Sequence, residues 1–273
     1  MAKTTLDKFN TLKKILSKME SIVIAYSGGV DSSLLLKVAN DVLSDRALAV
    51  TAESETYAKG EFRQAKKIAK KINARQVIIK TDELKDSRFA SNPMNHCYYC
   101  KKELFGRLKK IARKQGIAHV IDGSNADDRK DFRPGRKAKA ELGVRSPLQE
   151  AGLTKKDIRM ISKKLGLAIW DKPNVACLAS RFPFGMEITK KNLRTVEKGE
   201  TILHNLGIRQ VRIRHYGNVA RIEVAPKELS RLFSLRSKVV EKLKKLGYNY
   251  ITLDLEGYGV RKPQEVKNFT WKP

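Results

Sequence analysis

Three cysteines in 273 residues are too few for a disulfide framework. Acid is scarce as well: 29 Asp and Glu stand against 57 Lys and Arg, a formal net charge of +28. No apolar run approaches the roughly 18 residues that span a bilayer, and the opening stretch MAKTTLDKFNTLKKIL has no apolar signal core. These gaps argue against a stapled secreted scaffold and a helical membrane protein, so a cytoplasmic chain with no membrane partner is expected. The excess of base creates a field that attracts polyanions, whether nucleic acid or a phosphorylated small molecule. The lysines sit mainly on helix faces such as KKIAKKI and EKLKKLG, however, and an ordinary solvated surface explains them equally well. No internal repeat or low-complexity tract is present.

The first half of the chain alternates short β-branched runs with helical patterns. Strands are expected at 21–26, 47–52, 76–80 and 118–122, and helices at 32–43, 59–72 and 101–115. That rhythm predicts an α/β fold, with a parallel sheet covered on both faces. A long loop at 81–100 holds HCYYC, and a polar segment, DGSNADDRKDFRPGRKA, leaves the C-terminal end of the fourth strand, where ligands bind in such sheets. Thr154 and Asp157 read as a capping box opening a helix that stops at Gly166.

Past residue 170 the rhythm changes. An irregular stretch, KPNVACLASRFPFG, precedes a helix at 190–206, strands at 209–215 and 218–225 joined by the turn HYGN, a helix at 227–246 and a strand at 249–255. The expected domains are 1–170 and a smaller α+β domain at 171–273, with RKPQEVKNFTWKP as a loosely held end.

The most informative stretch is SGGVDSS, residues 27–33, between a buried strand and a helix. Gly28 and Gly29 permit a sharp turn, and N–H groups opening the helix point at whatever the loop holds. Ser27, Ser32 and Ser33 add hydroxyls. The loop is neither the GxxxxGK[ST] phosphate loop nor a GxGxxG dinucleotide turn, and it carries no lysine. Asp31 could organise a metal or merely cap the helix. Arg212 and Arg214, two apart on a strand, share a face and suit bidentate phosphate binding, unless they simply line a solvated edge. Glu200 and Glu223 could bind a metal or pair with those arginines.

SGGVDSS resembles the PP-loop of the ATP pyrophosphatases. Together with HCYYCKKELF, DGSNADDRKDFRPGRKA, GVRSPL, CLASRFPFG and VRIRHYGNVARIEV, from about residue 20 to 255, the chain resembles the LarE family, ATP-dependent sulfur transferases of nickel-pincer nucleotide synthesis. The resemblance implies that residues Ser27, Gly28, Gly29, Val30, Asp31, Ser32 and Ser33 hold the β and γ phosphates of ATP with Mg²⁺. A carboxylate of pyridinium-3,5-biscarboxylic acid mononucleotide would be adenylated, and sulfur would then displace AMP. Asp127 and Arg133 are expected near the metal and the transferring phosphate, and Ser180, Arg181, Arg212 and Arg214 near the substrate.

The resemblance leaves two sources for the sulfur. Cys97, Cys100 and Cys177 would hold a [4Fe–4S] cluster fed by a sulfide donor, or Cys177 alone would surrender its own sulfur. A zinc site using His96 and a redox CxxC are weaker readings of the same cysteines. A PP-loop tRNA thiolase, for which the positive charge would suit tRNA, is the main rival function; a non-catalytic nucleotide-binding module is another. A homo-oligomer is expected.

Overall fold

A computed structural model describes residues 4–130, 134–173 and 176–259. Contacts divide the chain into two compact units, one of Met1–Glu83 and Cys97–Val175, the other of Leu84–His96 and Ala176–Pro273. No helix among the described residues is long and apolar enough to cross a membrane.

In the first unit β1 (Ile22–Ala25), β2 (Ala47–Glu53), β3 (Arg75–Lys80) and β4 (His119–Ile121) form a wholly parallel sheet in the order β3-β2-β1-β4. Side chains alternate across a strand, so Ile22 and Ile24 enter one core while Val23 enters another. The first core is closed by α1 (Thr5–Ser17) and α2 (Val30–Leu43), which contribute Leu12, Leu16, Leu34 and Leu35. Helix α3 (Lys59–Ile72) adds Ala65 and Ala69. The sheet's β1 lies between β2 and β4, which the chain reaches in opposite directions. Such a switch point favours a crevice at the C-terminal ends of β1 and β4.

The expected strands and first helices are observed within a few residues, and α1 is an addition. Thr4 and Asp7 form its capping box, a feature worth about 1 kcal/mol. A larger revision concerns the expected loop at 81–100. It contains the short α4 (Ser87–Ala90), and α5 (His96–Lys114) begins at His96 rather than at 101. HCYYC is therefore the first turn of a helix. Its residues have middling helix propensity, and packing of Leu104, Phe105 and Leu108 into the second core favours the helix. Three more helices complete this unit: α6 (Gly135–Glu141), α7 (Pro147–Glu150) and α8 (Lys155–Lys164).

The second unit opens its folded body with α9 (Lys190–Asn205). A three-stranded sheet follows: β5 (Val211–Tyr216) pairs antiparallel with β6 (Val219–Val224), which pairs parallel with β7 (Tyr250–Leu253). The helix expected at 227–246 is broken into α10 (Leu229–Ser234) and α11 (Arg236–Lys244), preceded by a 3₁₀ turn at Pro226–Glu228. Leu235 leaves helical geometry at φ −94°, ψ 5°, and the Ser234 hydroxyl donates back to the Arg231 carbonyl at 2.8 Å. Residues 84–96 belong here because Asn92 is stitched to 183–185: its Nδ2 donates to the Pro183 carbonyl (2.8 Å) and its carbonyl accepts from Gly185 N (2.9 Å). The tail RKPQEVKNFTWKP lies outside the described residues.

Candidate active site

The loop after β1 is shaped by sterics before chemistry. Gly28 has φ +76°, and a Cβ there would lie 2.6 Å from Ala65 Cβ and 2.8 Å from Ala65 Cα, so glycine is required twice over. Gly29 is the N-cap of α2, whose first N–H groups have no partner within the helix. The hydroxyls of Ser27 and Ser32 lie 3.1 Å apart, and Ser32 Oγ donates to the Gly29 carbonyl at 3.2 Å. Ser33 and Val30 point elsewhere. Ser33 is fully buried, its hydroxyl 3.3 Å from that of Tyr26, and Val30 joins the core, so both could serve a ligand only through backbone groups. Burial pushes the Tyr26 phenol up to about 12, against the opposing Ser33 hydrogen bond.

A loop without a lysine acquires one from elsewhere. Lys155, the first residue of α8, pairs its ammonium with Asp31 Oδ2. Its backbone N–H donates to Asp127 Oδ2 at 2.8 Å, so the two carboxylates converge on one residue. Asn125 organises the neighbourhood: its Nδ2 approaches Asp31 Oδ1 (3.4 Å), its Oδ1 accepts from Asp127 N (2.9 Å) and its N–H donates to Asp128 Oδ2 (2.9 Å). Gly123 lets this segment lie against α2, since a Cβ there would meet Ser32 N and Cα at 3.1 Å. The result is an anion cradle with an ammonium and two carboxylates at its rim, a set that can grip a triphosphate and its counter-ion. Neither Lys155 nor Asn125 was among the residues expected from sequence. The available signal was a lysine in the first turn of a helix, where the macrodipole disfavours a cation. Arg133 lies outside the described residues.

In the second unit, Cys177 caps a 3₁₀ turn at Leu178–Arg181 and is half-buried. Its carbonyl accepts from Ser180 N (3.1 Å) and Ser180 Oγ (2.9 Å). Arg214 Nη1 donates to the Ser180 carbonyl at 2.6 Å, and its Nε to Glu223 at 2.8 Å. Among the described residues Arg212 has no carboxylate partner of this kind. Its Nη2 donates to the Tyr258 hydroxyl (2.9 Å), the Tyr258 ring lies 4.6 Å from its guanidinium, and its buried Nε has no hydrogen-bond partner among them. Burial, then the charges of Arg214 and Arg181, press Arg212 below the usual arginine value, a tension that a bound anion would relieve. Glu200 and Glu223 pair with arginines, Arg181 and Arg214 respectively.

Cys97 and Cys100 are half-buried and three apart on α5, which puts both on one helical face. His96, a zinc-ligand candidate, is 6% exposed; its ring centroid lies 5.8 Å from those of both Phe89 and Phe184, and its Nδ1 is 3.1 Å from the Pro93 carbonyl. Among the described residues no three His, Cys, Asp or Glu side chains gather into a metal site.

Comparison with known proteins supplies the decisive observation. The chain is 38% identical over 256 residues to the pyridinium-3,5-bisthiocarboxylic acid mononucleotide synthase of Lactiplantibacillus plantarum, covering 93% of each protein. The chain belongs to the LarE family. Members of that family are ATP-dependent sulfur transferases, and the parallel sheet with its glycine loop is the family's PP-loop domain. The family model for NAD synthase matches residues 6–107, the part that contains this loop. An uncharacterized protein of Synechocystis is 43% identical over 253 residues, 92% of this chain and 94% of its own length. A tRNA-specific 2-thiouridylase of Rickettsia rickettsii is 27% identical over 196 residues, only 58% of this chain and 53% of its own length. The likeness to the LarE relatives thus extends through the Cys177 unit, over almost the whole chain.

Proposed function

We propose that this enzyme uses ATP to adenylate a carboxylate of pyridinium-3,5-biscarboxylic acid mononucleotide, releasing pyrophosphate, and then converts the acyl adenylate to a thiocarboxylate, releasing AMP. Adenylation is required because a carboxylate resists nucleophiles until one of its oxygens becomes part of a good leaving group. The observation that carries the reading is Arg212, a guanidinium under repulsion from two others with an unpartnered buried Nε, in the same unit as the Cys177 turn. Such a site suits the phosphate of a mononucleotide.

In the first unit Lys155 would grip the leaving pyrophosphate and Ser27, Ser32 and the α2 N–H groups would orient it. Asp31 and Asp127 would hold Mg²⁺, which ordinarily takes one or two carboxylates plus phosphate oxygens and supplies charge neutralisation. For the sulfur, Cys97, Cys100 and Cys177 would hold a [4Fe–4S] cluster. The soft donor set and the two thiols on one face of α5 suit it. Three thiolates leave one iron open, and when bound the cluster supplies a place for sulfide from a donor. The alternative is sacrificial: the Cys177 thiolate attacks the acyl carbon, AMP departs, and loss of the Cα proton breaks the Cβ–S bond to leave dehydroalanine.

The test is AMP, pyrophosphate and thiocarboxylate formation from ATP, Mg²⁺ and the biscarboxylate mononucleotide, with tRNA in a parallel reaction. Product with the mononucleotide alone is expected. Thiolation of tRNA alone would replace this reading with the thiouridylase one, to which the +28 charge and the partial match lend their support.

A further inference from the structure

Arg181 is 3% exposed, and its guanidinium divides its five donors between two tasks. The Nε and Nη2 edge forms a bidentate pair with Glu200, at 2.9 and 3.0 Å. Nη1 is thereby turned toward the cysteine turn, where it donates to the carbonyls of Ala176 (2.9 Å) and Cys177 (3.1 Å) and to Ser180 Oγ (3.1 Å). Glu200 is itself fixed: its Oε1 also accepts the Ile213 N–H at 3.0 Å, joining α9 to β5. That contact depends on close packing, since a Cβ on the preceding Gly199 would lie 2.6 Å from Ile213 Cδ1. A rigid chain of hydrogen bonds therefore runs from β5 through Glu200 and Arg181 to the peptide groups on both sides of Cys177.

We propose that Arg181, locked by Glu200, is a positioning residue for Cys177: it holds the two flanking carbonyls on one cation and so sets the turn from which the thiol acts. The Ala176 and Cys177 carbonyls both direct their negative ends at Nη1, an arrangement that self-repels without the cation. Of the five donors, Nε, one N–H of Nη2 and both of Nη1 are engaged by a carboxylate, two carbonyls and a hydroxyl, so the buried guanidinium faces the cysteine turn and Glu200. The proposal rests on Cys177 being the sulfur-bearing cysteine of the proposed function.

The test compares the full-length wild type with Arg181→Met/Glu200→Leu, which removes both charges together and leaves neither buried alone. The double variant also takes the partners from the Ile213 N–H and the two carbonyls, so both half-reactions are compared well below its own melting temperature. Pyrophosphate release is expected to persist, while thiocarboxylate formation falls about 100-fold, the cost of misplacing a reacting group by roughly an ångström. Arg181→Lys, which keeps the charge but cannot span Glu200 and both carbonyls, should show the same split in milder form. A second measurement needs no substrate: the alkylation rate of Cys177 by iodoacetamide, followed by peptide mass, should change several-fold in the double variant while those of Cys97 and Cys100 do not. Wild-type thiocarboxylate formation in the double variant, equal loss of both half-reactions, or unchanged Cys177 alkylation would each overturn the proposal. If the wild type forms no thiocarboxylate from the mononucleotide, the functional reading fails by itself and alkylation still decides this one.

Discussion

Lys155 reaches across 124 residues of sequence to pair with Asp31 in the phosphate loop. The pair gives a glycine loop with no lysine of its own a cation brought by another helix, which under the proposed function would serve the phosphates of ATP. Lys155→Met should lower kcat/KM for ATP by about 100-fold, the usual cost of deleting a charge-stabilising donor from a reacting phosphate or oxyanion site. Pyrophosphate release measures this, and Lys155→Arg should recover part of the loss.

Gly28→Ala should destabilise the first unit. A left-handed φ costs alanine about 1–2 kcal/mol, and the clash with Ala65 adds an overpacking cost of roughly 1–3 kcal/mol. Chemical denaturation reads the total, and loss of ATP protection against heating should accompany it.

The cysteines separate by half-reaction. Cys177→Ser should abolish thiocarboxylate formation and leave pyrophosphate release intact. Cys97→Ser or Cys100→Ser should remove iron and the visible absorbance from an anaerobic preparation. A colourless wild type that completes one turnover per chain and carries dehydroalanine at 177 would decide for the sacrificial route.

Asp157 gives a pH signature. Burial works against its charge, but Lys8 (2.8 Å), Thr5 (2.5 Å) and the Thr154 cap hold the carboxyl well below the usual carboxylate range. A depressed folded-state value contributes stability above the unfolded value, near pH 4, and loses it as pH falls further toward the folded one. Asp157→Asn should therefore lower the melting temperature at pH 7, and the difference should shrink on acidification below about pH 4. Thermal melts across that range check it.

Arg212→Ala should raise the concentration of mononucleotide required, since it removes a cation that has no carboxylate partner among the described residues, while leaving the KM for ATP unchanged. Steady-state kinetics in each substrate distinguish the two.

Much of this protein was legible locally. Short β-branched runs and period-3.6 patterns marked the four parallel strands and their helices, because the sheet is packed on both faces and each helix buries one stripe. SGGVDSS announced its chemistry in seven adjacent residues, since a strand, a tight turn and a helix N-terminus need only near neighbours. The hairpin of Arg212 and Arg214 was readable for the same reason. HCYYC reads as loop because cysteine and tyrosine have middling helix propensity, and the packing that favours its helix comes from Leu104, Phe105 and Leu108, four to eight positions past its last residue. The break at Leu235 was hidden because an apolar period continues through it. What sequence alone determined was therefore the fold class, the phosphate loop and the family resemblance, all written in short-range patterns of polarity and turn-forming residues. What only the tertiary structure decided was which charges meet: Lys155 with Asp31, Glu200 with Arg181, and Arg212 with no carboxylate partner among the described residues. Those pairings depend on helix ends and strand faces brought together by packing, and residue spacing carries no information about them.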